Sequence, residues 1–144
     1  MTNPVYDLTI TNGTLATHET SELAGIGITD GRIATIGDVT AAQGKENIDA
    51  TGLTILPGVI DTQVHFREPG IEHKEDLQSG SLAAVMGGVT GVFEMPNTKP
   101  PTTTLEAVRD KVARATDRMH CDFAFYVGGT HENAAELPEL EKMA

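Results

Sequence analysis

The stretch LPGVIDTQVHFREPG, residues 56–70, decides the reading of this chain. It reads as one buried strand that ends in a polar cluster. Strand side chains alternate, so Asp61, Gln63, His65 and Arg67 share one face, while Ile60, Thr62, Val64 and Phe66 share the other. An acid, an amide, an imidazole and a guanidinium along one face is an odd profile for a structural strand. It suits a strand with one face against covering helices and the other turned into a site. Glu68-Pro69-Gly70 then stops the strand and turns the chain.

Upstream, the pattern is of short alternating runs joined by tight turns. Val5–Ile10 alternates and leads to Asn12-Gly13, a hairpin signal, and Gly25–Thr29 leads to a second, Asp30-Gly31. Arg32–Ile36, Asn47–Ala50 and Leu53–Leu56 follow. Residues 5–57 are therefore expected to form a small antiparallel β module, with Asp30 and Asp49 as turn residues. Nothing in this region looks chemical.

Downstream, strands alternate with helices. A helix is expected over residues 75–86, stopped by Gly87-Gly88. A strand follows over 89–95. Thr103-Thr104-Leu105-Glu106 fits a capping box with Thr103 as N-cap. The helix it opens places Leu105, Val108, Val112 and Ala115 inward and leaves Glu106, Arg109, Asp110, Lys111 and Arg114 as solvated charge. A third strand is expected over 122–127, and residues 131–144 have a helical tendency interrupted by Pro138. This alternation implies an α/β fold with a parallel sheet. Functional residues then gather at the C-terminal strand ends. Those ends are His65-Phe66-Arg67, Met95-Pro96-Asn97-Thr98 and Gly128-Gly129-Thr130-His131.

Composition narrows the function classes. Net charge is −11, which argues against nucleic acid or an anionic membrane as partner. Apolar residues make up 39% of a chain with no Trp, so the core is expected to be aliphatic. Cys121 is the only cysteine, which excludes an intrachain disulfide and points to a reducing compartment. The start, MTNPVYDLTITNG, shows no secretory signal, and no apolar run approaches the roughly 20 residues of a membrane helix. A cytoplasmic location is the expectation.

Four residues are candidates for chemistry. His65 beside Gln63 suggests half of a metal site, because alternate strand residues aim at one ion. The Gln63 carbonyl is a weaker ligand for zinc-like ions than imidazole. The alternative for His65 is a packing or capping role. Arg67 is built to clamp a carboxylate with two parallel hydrogen bonds; the alternative is a salt bridge to Glu68 or Glu72. Asn97 is either a hydrogen-bonding partner for a polar ligand or a turn residue. His73, His120 and His131 show no ligand spacing, and Cys121 reads as a small core residue.

PGVIDTQVHFREPG, EHKEDLQSGS and FEMPNTKP in combination resemble the dihydroorotase family of the amidohydrolase superfamily, and the opening TNGTLAT…GIGITDGRIATIGD is similar to the β module with which such enzymes begin. The resemblance implies a β-sandwich module over residues 1–57. Residues 58–144 would then be the first three β/α units of an eight-stranded (β/α) barrel, left incomplete in this chain. It implies reversible hydrolysis of dihydroorotate to N-carbamoyl-aspartate with one or two Zn2+ ions, His65 as a metal ligand, Gln63 as a weak one, and Arg67 and Asn97 on the substrate carboxylate. Arg67 and the Met-Pro-Asn loop favour dihydroorotate over the allantoin or hydantoin of related enzymes. The family's carboxylated Lys, two later His ligands and catalytic Asp have no match here. They are expected beyond Ala144, which makes this an N-terminal portion without catalytic residues, inactive alone. Homo-oligomers and association with aspartate carbamoyltransferase fit the family. A non-catalytic scaffold for that partner, or an allantoinase- or hydantoinase-type hydrolase, are the alternatives.

Overall fold

Strand β1, Tyr6–Ala16, runs for 11 residues straight through the Asn12-Gly13 pair. The hairpin expected there is a bulge instead. Asn12 takes a left-handed φ of 63° and its Nδ2 donates to Asp49 Oδ1 at 2.9 Å. The register against β2, Ser21–Thr29, slips between Ile10 and Gly13, as a bulge requires. The chain turns later, where Thr17 N donates to Thr20 O at 2.8 Å. The second signal holds: Asp30 and Gly31, with φ of 51° and 70°, join β2 to β3, Arg32–Gly37, as a turn of type I′.

β4, Gly44–Asp49, and β5, Thr54–Ile55, both pair with β1 in parallel. The sheet is therefore mixed, not antiparallel. These residues form a single five-stranded sheet of order β3-β2-β1-β4 with β5 also beside β1, where a two-sheet sandwich was expected. Thr9, Thr11 and Leu15 alternate along its buried face. The two threonine hydroxyls there both donate to Asn47 Oδ1, at 3.0 and 3.1 Å, so their burial leaves no unmet donor.

The computed structural model describes residues 5–141, and the chain divides into two compact units between Pro57 and Gly58. In the second unit β6, Val59–Val64, β7, Val89–Glu94, and β8, Asp122–Phe125, form a parallel sheet in that order. Helix α1, Leu77–Met86, connects the first pair, and α2, Leu105–Ala115, the second. Phe66, Leu77, Val92 and Ala115 make the core, with Val64, Phe123 and Phe125 packed against it. No helix among the described residues is long and apolar enough to cross a membrane.

The opening strand differs from expectation. No residue from Val59 to Gln63 is buried, and Ile60 is 60% exposed. Among the described residues β6 pairs only with β7, and burial begins at its end, where Val64 and Phe66 pack into the core. α1 begins with Asp76 as N-cap, its carboxylate accepting from Ser79 N at 2.7 Å. α2 is capped by Thr104, not Thr103, through a 3.2 Å bond from Ala107 N. Its buried face is Val108, Lys111 and Ala115, while Val112 is 43% exposed. Lys111, expected in solvent, is 1% exposed because its ammonium meets Glu94 Oε2 at 2.6 Å. Pro138 lies in the first turn of α3, Leu137–Glu141, where a missing N–H costs nothing. It therefore starts a helix instead of interrupting one. Residues 142–144 of the expected helical stretch lie outside the described residues.

Candidate active site

The C-terminal ends of the three parallel strands carry the loops that hold the site. β6 and β7 are locked at this end by Met95 N donating to Val64 O at 2.9 Å. That bond sits one residue before His65 and two before Asn97. Beyond it, His65 Nδ1 lies 2.8 Å from Asn97 Oδ1. An amide oxygen only accepts, so Nδ1 is the donor, and in the neutral imidazole the lone pair is on Nε2. Two residues that the sequence leaves 32 positions apart are thus joined, and Asn97 sets the imidazole's tautomer and direction.

The loops are pinned to each other by their backbones. Lys99 N donates to Pro69 O at 2.9 Å, and a Cβ on Gly70 would run into the Lys99 carbonyl. Thr102 N donates to Pro96 O at 2.9 Å, and Gly128 N to Thr102 O at 2.8 Å. Asn133 secures the third loop, its Nδ2 donating to Thr103 O at 2.6 Å and to Gly128 O at 2.9 Å.

Arg67 is not a strand residue. Its φ is 66°, so the alternation that assigns it to the face of His65 ends before it. The residue is half-buried, and its guanidinium has no ion pair or hydrogen bond among the described residues. Its two acidic neighbours are engaged elsewhere. Glu68 binds Arg118, and Glu72 Oε1 accepts from Gly70 N at 2.8 Å, which holds its carboxyl below the usual range. The salt-bridge alternative for Arg67 is therefore removed, and its cation is available.

Gln63 is exposed, and its side chain bonds to nothing among the described residues. Among those residues no three of His, Cys, Asp or Glu are grouped to hold a metal ion. His65 and Gln63, the two ligands expected from the sequence, would make up at most half of a four-ligand set. His73, His120 and His131 are all exposed.

Under this end of the sheet lies the pair that sequence reading misses. Lys111 Nζ meets Glu94 Oε2 and lies 3.5 Å from Met95 O and 5.2 Å from the centre of the Phe125 ring. Burial pushes the Glu94 carboxyl above its usual range despite Lys111, and Glu94 Oε1 is buried without a partner. A signal was present. Glu94 follows Val92 at strand spacing, and Lys111 sits between Val108 and Ala115 at helix spacing. An acid and a base therefore stand at apolar-face positions of adjacent elements.

A family model described as dihydro-orotase-like matches residues 52–143. An allantoinase of Rubrobacter xylanophilus is 40% identical over 136 residues, 94% of this chain and 30% of its own length. A dihydroorotase of Streptococcus pneumoniae is 48% identical over 90 residues, 60% of this chain and 21% of its own length. The solved L-hydantoinase of Arthrobacter aurescens superposes with a TM-score of 0.90 at 34% identity, covering 96% of this chain and 31% of that one. The chain thus spans less than a third of the length of each of these relatives. The family match over residues 52–143, most of the chain, places it in the dihydro-orotase-like family of amidohydrolases.

Proposed function

We propose that this chain serves a dihydroorotase-type cyclic amidohydrolase, which opens dihydroorotate reversibly to N-carbamoyl-aspartate. The observation that carries the reading is Arg67: a half-buried residue whose guanidinium is left unpaired although both acids beside it are in the same loop. A cation kept out of salt bridges two residues from an oriented imidazole suits a substrate with a carboxylate beside its reacting ring. Asn97 has its Nδ2 protons free to donate to the same anion while its oxygen holds His65.

His65 would hold the ion through Nε2, with Gln63 as a weak second ligand and further ligands from outside the described residues. A zinc-like ion would supply Lewis-acid polarisation of the ring carbonyl and a nucleophilic water at neutral pH. The roles of this chain are to orient one ligand and to bind and align the substrate's carboxylate.

Arg67→Ala tests the reading in the protein at its natural length. The expected result is a loss of about 10- to 100-fold in kcat/KM on dihydroorotate, the worth of a charged hydrogen-bond pair. Activity on hydantoin or allantoin, which lack that carboxylate, should change little. Equal losses on all three substrates would remove the case for dihydroorotate. The second reading is an allantoinase or hydantoinase, favoured by the allantoinase whose similarity extends over 94% of this chain. Under it, the unsubstituted protein turns over the neutral rings and leaves dihydroorotate untouched.

A further inference from the structure

Arg67 keeps a left-handed backbone conformation, φ 66°, that residues with a Cβ rarely adopt. Such a conformation persists only where its surroundings fix it. Here the residues on both sides are buried. Phe66, 6% exposed, is set into the core, and Glu68 is 4% exposed. The Glu68 carboxylate receives a fork of two bonds from Arg118, Nη1 to Oε1 at 2.8 Å and Nη2 to Oε2 at 3.1 Å. Its Oε2 also accepts from Leu77 N, at the start of α1, at 3.1 Å. Arg118 lies in the turn after α2 and is steadied by its own bond to Arg114 O at 3.1 Å. A second arginine, Arg114, approaches Glu68 Oε1 at 3.8 Å. One buried acid therefore ties the residue after Arg67 to the beginning of one helix and the end of the other.

We propose that Glu68 and Arg118 are positioning residues for Arg67: the ion pair that Arg118 makes with the buried Glu68 carboxylate fixes the backbone from which the Arg67 guanidinium meets a substrate carboxylate. This rests on the reading of Arg67 as the carboxylate clamp. Neither residue is bonded to His65 or Asn97, and neither acts on the substrate. The pair works by closing off the other conformations of the 66–70 segment. It also occupies Glu68, which would otherwise neutralise Arg67.

Arg118→Gln tests this with two readouts in the protein at its natural length. The first is the split between substrates. KM for dihydroorotate is expected to rise about tenfold or more, as a displaced charged contact would give, with kcat/KM on hydantoin little changed. Equal loss on both substrates would overturn the proposal. The second readout needs no activity: the rate of tryptic cleavage after Arg67 relative to cleavage after Arg109 on the exposed face of α2. Local release is expected to speed the first about tenfold and leave the second unchanged. Unchanged cleavage after Arg67, or equal acceleration at both bonds, would also overturn it. If the unsubstituted protein ignores dihydroorotate, the clamp reading fails by itself and the cleavage ratio still decides the positioning role. Should Arg118→Gln not fold, Arg118→Lys keeps the charge and loses the fork. Both readouts are then expected to move in the same directions by a smaller factor, and no movement in either counts against the proposal.

Discussion

At position 97 a single amide oxygen decides which nitrogen of His65 is free. The 2.8 Å contact commits Nδ1 to donating, which leaves Nε2 as the ring nitrogen a ligand can use. Groups in this relation to a ligating histidine are typically worth about 10- to 100-fold in metal affinity. Asn97→Leu keeps the size and removes the acceptor. It is expected to weaken zinc binding by about that factor, measured by competition with a chromophoric chelator, and an unchanged affinity would separate Asn97 from the metal. The residue types at this scale were legible in the sequence: His65, Arg67 and Asn97 stood at strand ends. Their partners were not. Strand alternation stops at Val64, and it says nothing of a left-handed Arg67 or of a bond between loops 32 residues apart. The free state of Arg67 follows from Glu68 being taken by Arg118, a contact across 50 residues that no local pattern reports.

At the scale of elements, α2 and β7 are joined by charge where apolar contact was expected. The helix was placed correctly by its spacing, but its buried face is rotated. Lys111 takes an inward position that a binary pattern assigns to solvent, because only the matching Glu94 makes its burial tolerable. Removing one partner leaves the other charge stranded. Lys111→Met is expected to cost about 3–5 kcal/mol at neutral pH, read from chemical denaturation. The pH dependence has a definite sign. Burial raises the Glu94 carboxyl in the folded state, so the folded protein takes up the proton before the unfolded chain does. The penalty of burying Glu94 is present above its folded pKa and is relieved as pH falls through it toward the unfolded value of about 4.3. The Lys111→Met deficit should therefore be larger at pH 8 than at pH 5. The double variant Glu94→Leu, Lys111→Met should recover most of the loss at both. A deficit independent of pH would show that Glu94 does not remain charged there.

For the whole chain, the change from alternating short strands to strand–helix alternation near Pro57-Gly58 is visible in the sequence, since period-2 and helical spacing are local properties. The direction of β4 and β5 is not, because parallel and antiparallel pairing leave the same alternation. No three of His, Cys, Asp or Glu among the described residues are grouped to hold a metal ion. The 144-residue chain alone is accordingly expected to show no metal-dependent turnover of dihydroorotate, assayed by ring opening in the presence of zinc. Turnover clearly above a metal-free control would mean that it builds a complete centre by itself. The parallel pairing of β1 with β4 and β5 also has a consequence for the chain as it leaves the ribosome. β1 can pair with β2 once both have emerged, and β3 can join through the Asp30-Gly31 turn. The other edge of β1 then waits for residues 44–55. At roughly 5–20 residues per second, β1 would spend about a second or more half-paired, open to whatever nascent strand or chaperone lies nearest.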